Sequence, residues 1–246
     1  MAFSVVIPVY NEEAIVEAAL RRYGAALDAL QRPFEIIVAA NGCIDSTEQI
    51  VADLDLQLVH GNVRLLSSSV ADYGRALRQG IEQARSDVVI CDEIDLCDIG
   101  FVTRALRRLD HNECELVVGS KAMIGARDRR PLFRRVATRV INGMLWATVG
   151  FEGTDTHGLK AFRRRDLLPI VHACVVDRDL FASELVIRAG LAGLRIQEIP
   201  IEIEEQRSPA IHLVRRVPRV VKDLARLVVA VRLGKKTTPA QVDDKG

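Results

Sequence analysis

Residues 88–98 read VVICDEIDLCD, which sets Asp92, Glu93, Asp95 and Asp98 within seven positions at the end of an apolar run. Carboxylates at this density repel one another, so water, a cation or nearby arginines must offset them. Hard divalent cations such as Mg²⁺ and Mn²⁺ prefer oxygen ligands, and this cluster supplies them. Alternation along an extended strand puts Glu93 and Asp95 on one face and Asp92 on the other. Asp98 can add an oxygen if the turn brings it round.

Three further polar sets could act on a ligand. Tyr10, Asn11 and Glu12 follow Pro8 and Val9, although Glu12 and Glu13 also suit the positive end of a helix. In NGCIDST, Asn41 offers both an amide oxygen and an amide nitrogen, Gly42 suits a turn and Asp45 suits a helix cap. Arg127, Arg129, Arg130, Arg134 and Arg135 form a run denser than one helix face, and guanidinium forks match phosphate oxygens. The same run also reads as a solvated helix. Lys121 closes a strand-like run, where it is equally a surface charge.

Positioning these residues needs a scaffold, and the hydrophobic pattern supplies one. Strands are expected at 3–10, 34–40, 63–68 and 87–94, separated by helices at 12–30, 46–56 and 73–84. A helix follows in FVTRALRRL, then a strand at 115–121, a helix around Ala182 to Ala189 and a strand at 194–205. Strands alternating with helices imply an α/β fold with a doubly wound, mostly parallel sheet. Ligands of such sheets bind beyond the carboxyl ends of the strands, which is where YNEE, NGCIDST and DEIDLCD fall.

In order and spacing, VVIPVYNEE, EIIVAANGCIDST, YGRALRQGIEQARSDVVICDEIDLCD, VVGSKAMIGARDRR, GTDTHGLKAFRRRDL and LRIQEIPIEI resemble the family 2 glycosyltransferases of GT-A fold. Within that family the likeness is to the dolichyl-phosphate mannose and glucose synthases, across residues 3–230. The resemblance implies an inverting transfer of sugar from a nucleoside-diphosphate sugar donor to a lipid phosphate, a polyprenyl phosphate, or another small-molecule acceptor. It places Pro8, Tyr10, Asn11, Glu12 and Asn41 at the nucleotide, and Glu93, Asp95 and Asp98 at a Mg²⁺ or Mn²⁺ ion. Lys121, Arg127, Arg130 and His157 fall at the acceptor, with Asp95 and Asp155 as catalytic residues. An acceptor phosphate is already anionic, whereas a hydroxyl acceptor needs a base, for which Asp155 or Glu184 is the choice.

The chain departs from the family pattern at several positions. Ala40 and Asn41 stand where the family has two aspartates, Glu93 replaces the first metal aspartate, and Cys97 and Asp98 replace a Gln-His pair. The family's Arg-x-x-Gly-x-Ser-Lys is not reproduced around Arg207–Ile211. A catalytically degenerate nucleotide-binding relative is therefore the alternative to an active transferase.

The chain has 246 residues and a formal charge of +1, which argues against nucleic acid as a partner. Cys43, Cys91, Cys97, Cys114 and Cys174 are odd in number and without a CxxC pair, so a reducing cytoplasm is expected. No signal peptide and no spanning segment are read from the pattern. Residues 1–210 are expected to form the GT-A domain, 211–233 a basic amphipathic helix, and 234–246 a disordered tail. Val214, Val217, Val221, Leu224, Val228 and Val231, interleaved with basic residues, suit peripheral association with the inner face of a membrane. The same spacing suits packing on the core or on a partner subunit of a homo-oligomer, or a module that binds a membrane or partner without catalysis.

Overall fold

β1 (Phe3–Val9) and β2 (Phe34–Ala40) are buried along their whole lengths, as central strands covered on both faces must be. The computed structural model describes residues 1–123, 126–128, 140, 143–150, 153–156, 158–176, 180–203, 225, 226, 228 and 229. In chain order α1 (Val16–Asp28) lies between β1 and β2, and α2 (Thr47–Ala52), β3 (Gly61–Leu66), α3 (Tyr73–Gln83), β4 (Val88–Cys91) and α4 (Ile99–Asp110) follow. β5 (Leu116–Ser120), β6 (Arg127–Asp128), a helical stretch α5 (143–149), β7 (Lys160–Arg163) and α6 (Arg164–Ala173) come next. α7 (Phe181–Leu191), β8 (Ile196–Pro200) and β9 (Glu202–Ile203) complete the order.

Seven strands pair in the order β3-β2-β1-β4-β7-β5-β8, and β6 pairs with β9 in a separate two-stranded sheet. All neighbours in the large sheet are parallel except β7, which runs antiparallel to both β4 and β5. Successive residues feed opposite faces. Val5, Ile7, Ile36, Val38 and Ile90 pack with Leu20, Leu27, Phe101 and Leu106 of α1 and α4. Val6, Ile37, Val89, Leu116 and Phe162 pack with Leu77, Ile81, Leu167, Phe181 and Leu185 of α3, α6 and α7. The doubly wound, mostly parallel sheet expected from the pattern is thus the one observed.

Several boundaries differ from expectation. α1 begins at Val16 rather than 12, because Asn11 is left-handed (φ 54°) and the residues after it first form a turn in which Glu12 O accepts the N–H groups of Ile15 and Val16; the Glu12 N–H, which a helix start would leave unpaired, goes to Thr47 Oγ1 at 2.7 Å. α2 stops at Ala52, short of the expected 56, and β3 runs two residues earlier than expected, in register with Phe34–Ala39. β4 ends at Cys91 rather than 94, and the chain turns at once. β7 and α6 were not legible in the pattern. No described helix is long and apolar enough to cross a membrane. The amphipathic helix at 211–233 lies outside the described residues except for 225, 226, 228 and 229, and the tail at 234–246 lies wholly outside them.

Candidate functional site

β2 and β3 extend to one side of β1 while β4 lies on the other, so the direction of winding changes between β1 and β4. The crevice beyond their carboxyl ends is where such sheets take ligands. Residues 10–13 leave β1 there and are cross-braced to the loop after β2. Asn11 Oδ1 accepts the Ile44 N–H at 2.9 Å, Asp45 Oδ2 accepts the Glu13 N–H at 3.2 Å, and Glu13 Oε2 accepts the Ser46 N–H at 3.0 Å. Asp45 Oδ1 also accepts the Thr47 N–H at 3.0 Å from one residue ahead of Ser46, the N-cap of α2, so it satisfies the first helical N–H without being the cap itself. Tyr10 is left 46% exposed at the rim, whereas Pro8 is buried within β1 and Glu12 is buried beneath the loop.

Asn41 follows β2 and is also buried. Its amide oxygen accepts the backbone N–H of Asp72, the N-cap of α3, so the amide nitrogen is the group it can direct at a ligand. Asp72 in turn caps α3 by accepting the Arg75 N–H at 3.0 Å.

After Cys91 the four carboxylates separate into two groups. Asp92 is buried; Tyr23 Oη donates to its Oδ2 at 2.5 Å, and the N–H groups of Asp98 and Glu93 donate to Oδ2 and Oδ1 at 3.2 and 2.7 Å. Burial pushes the Asp92 carboxyl up to about 7, partly offset by the Tyr23 and Glu93 hydrogen bonds. Burial and the neighbouring Asp92 raise the Tyr23 phenol as well. Asp98 belongs with this pair: its Oδ1 caps α4 by accepting the Phe101 N–H at 2.8 Å, and its charge acts on Asp92 and Tyr23. One oxygen of the expected third metal ligand is therefore committed to a helix end. Cys97 is a buried thiol, raised by burial and by Asp92, whose Sγ donates to Ile94 O at 3.5 Å.

Glu93 and Asp95 form the second group, half-buried on the turn. Their separation from Asp92 matches the expectation, but its cause is the turn after Cys91 rather than alternation along a longer strand. Glu93 is raised first by burial and then by the Asp95 charge, with Asp155 adding to the shift and Lys121 and Lys160 opposing it. These five side chains therefore share one electrostatic neighbourhood. β7 explains how Lys160 enters it, since its antiparallel register sets Lys160 opposite Cys91 of β4 and Val118 of β5. Lys160 is buried, donates from Nζ to Gly158 O at 2.8 Å, and has its ammonium lowered by burial.

Lys121 Nζ lies 3.5 Å from Asp155 Oδ2, and Asp155 is 1% exposed. A network from the edge strand holds this loop in place. Glu198 accepts from Thr154 N at 2.7 Å, Thr154 Oγ1 at 2.6 Å and Asp155 N at 3.3 Å, and Ser120 Oγ meets Thr154 Oγ1 at 2.6 Å. Glu184, the other base considered, is buried and paired with Arg188 at 2.6 Å, and accepts the N–H groups of Val175 and Val176. It is a structural carboxylate. Arg130 and His157 lie outside the described residues, and of Arg127 only the backbone in β6 is described.

No cluster of three or more His, Cys, Asp or Glu side chains suited to a metal is found among the described residues. A divalent ion held by one or two carboxylates, with phosphate and water completing its shell, does not need one. Glu93 and Asp95 fit that arrangement: both are oxygen donors, and the Asp95 charge adds to the burial that disfavours a charged Glu93. Pattern reading missed Tyr23, Thr154 and Glu198, and it gave Lys160, the basic position of the GTDTHGLKAF motif, no role. Tyr23 reads as a core aromatic and Glu198 as an outward strand position, and only the fold brings them to these partners.

Residues 4–169 match the model of Glycosyl transferase family 2. Glycosyltransferase AglD of Haloferax volcanii is 28% identical over 249 residues, covering 96% of this chain and 39% of that protein. An undecaprenyl-phosphate 4-deoxy-4-formamido-L-arabinose transferase of Yersinia pestis is 32% identical over 208 residues, covering 82% of this chain and 60% of that protein. The chain thus spans 39% to 60% of the length of these curated relatives. Among solved structures, glucosyl-3-phosphoglycerate synthase from Mycobacterium tuberculosis, in complex with Mn²⁺, UDP-glucose and phosphoglyceric acid, gives a TM-score of 0.67 at 18% identity. That match covers 92% of this chain and 79% of the other, and shows a shared GT-A fold.

Proposed function

Because the chain belongs to glycosyl transferase family 2, we propose that it transfers a sugar, with inversion, from a nucleoside-diphosphate sugar to a polyprenyl phosphate or another small acceptor. The observation that carries this is the convergence of Glu93, Asp95, Asp155, Lys121 and Lys160 beyond the strand ends, beside the braced loops of Tyr10 and Asn41. Support for a lipid-phosphate acceptor comes from the Yersinia relative, whose name specifies undecaprenyl phosphate. An acceptor in the membrane implies action at its cytoplasmic face by a chain that associates peripherally.

Tyr10, Asn11, Glu12 and the Asn41 amide nitrogen line the nucleotide side. Glu93 and Asp95 hold Mg²⁺ or Mn²⁺, which when bound offsets charge on the leaving diphosphate. Lys121 sits where an acceptor phosphate would meet a cation, and Asp155 fixes that lysine's position. The rate gain is one of positioning and charge stabilisation, since a phosphate acceptor needs no deprotonation.

The test is a panel of nucleotide sugars with Mn²⁺, followed by binding and transfer. Asp95→Ala is expected to weaken Mn²⁺-dependent donor binding by about tenfold or more and to abolish transfer. Transfer by Asp95→Ala at the wild-type rate overturns the metal role. Nucleotide binding that ignores Mn²⁺ and turns over no donor favours a binding protein, a reading supported by the engaged oxygen of Asn41.

A further inference from the structure

The turn bearing Glu93 and Asp95 is fixed from behind by a single carboxylate. Asp92 N–H donates to Val6 O of β1 at 3.0 Å, which roots the turn in the sheet. The Asp92 side chain then gathers the N–H groups at both ends of the turn, Glu93 at 2.7 Å and Asp98 at 3.2 Å. Inside the turn, the N–H groups of Leu96 and Cys97 both donate to Glu93 O at 3.0 Å, with Cys97 in the left-handed region at φ 46°. The fourth contact comes from far along the chain: Tyr23 Oη donates to Asp92 Oδ2 at 2.5 Å across a separation of 69 residues.

Tyr23 is 1% exposed and lies on α1, whose Leu20 and Leu27 are fully buried in the same core. Asp92 is 2% exposed and its two oxygens already accept from Tyr23, Glu93 and Asp98, so the pair sits behind the turn. An apolar pair of equal volume would fill the space without desolvating a carboxylate. What the polar pair adds is direction, because it holds two backbone amides at fixed places relative to α1 and β1.

We propose that Tyr23 and Asp92 are positioning residues that lock the turn at 93–98 in the conformation presenting Glu93 and Asp95 to a divalent cation. This rests on the metal role given to those two carboxylates above. Tyr23 acts through Asp92, and Asp92 acts through the amides of the turn. Removing the phenol oxygen leaves the ligands in the chain but frees the carboxylate that orders them, and loss of such an outer partner weakens metal affinity by about tenfold or more.

The experiment follows Mn²⁺ binding by electron paramagnetic resonance, with UDP as the probe nucleotide, in wild type, Tyr23→Phe and Leu27→Ala. Leu27→Ala damages the same helix away from the turn and is expected to lower Tm while keeping Mn²⁺ affinity. Tyr23→Phe is expected to lose about tenfold in Mn²⁺ affinity. Wild-type affinity in Tyr23→Phe, or an equal loss in Leu27→Ala, overturns the proposal. Amide hydrogen exchange on wild type supplies a measurement that needs no variant: the Glu93 and Asp98 amides are expected to be protected, and rapid exchange at both overturns the lock. A wild-type protein that takes up no Mn²⁺ beside UDP overturns the underlying metal role, an outcome distinct from retained affinity in the variant.

Discussion

Lys121 and Asp155 meet at 3.5 Å with side-chain exposures of 11% and 1%, so the pair is largely removed from water. Deleting one member of a buried pair leaves the other charge in a poor medium, at a cost of about 3 kcal/mol or more. Lys121→Met keeps the stem and removes the charge. For a chain of this size the expected fall in Tm is about 6–12 °C, read by thermal unfolding, with a raised acceptor KM and unchanged donor affinity. A Tm within a degree of wild type would show that the pair contributes nothing to folding. Both residues stood out in the sequence, yet their contact did not, because 34 positions separate them. Asp92 shows the opposite case. Its departure from the Glu93 face was legible, but the reason was not, since Tyr23 reads as one more apolar position of α1.

At the scale of elements, the first four strands and the helices between them were legible because each carries its own period. The strand at 160–163 did not, since four residues bear no period of their own and owe their conformation to β4 and β5 on either side. The late start of α1 also depends on a distant element, for the turn that precedes it is pinned through the Glu12 N–H to Thr47 of a different helix. Close approach of α3 to β1 is another feature of packing rather than pattern. A Cβ on Gly80 would stand 2.2 Å from Val6 Cγ1, and Val6 is fully buried. Gly80→Ala therefore overpacks the site and is expected to cost about 1–3 kcal/mol. In a Val6→Ala background the clash disappears, and the same substitution should become neutral or gain up to about 1 kcal/mol from helix propensity. A double-mutant cycle by denaturant unfolding measures this, and additive effects would mean that α3 does not press on β1 as described.

Across the whole molecule, parallel strands deliver Tyr10, Asn41, Glu93, Asp95 and Lys121 to one end of the sheet, and that end was foreseeable from the alternation of elements. The order beyond β4 was not, because β7 reverses direction and inserts ahead of β5. The sheet is then closed at its outer edge by β8, whose Glu198 holds the Asp155 loop, so stability of that edge bears on the site. Glu115 and Arg195 tie the edge at its other end. Arg195 donates to Glu115 from N at 2.8 Å and from Nε at 3.0 Å, and Nη2 closes the ion pair. These hydrogen bonds hold the Glu115 carboxyl below its ordinary value. The unfolded chain therefore binds this proton more readily than the folded one, and stability rises with pH across the titration. The contribution is complete above the unfolded value of about 4.3 and is lost as pH falls through the folded value. Arg195 is half exposed, which limits the contribution to about 1 kcal/mol or less. Glu115→Gln should accordingly be less stable than wild type at pH 7 by that amount and equal to it near pH 2, as measured by urea unfolding across pH. A difference that persists unchanged into acid would assign the loss to packing at the edge rather than to the charge on Glu115.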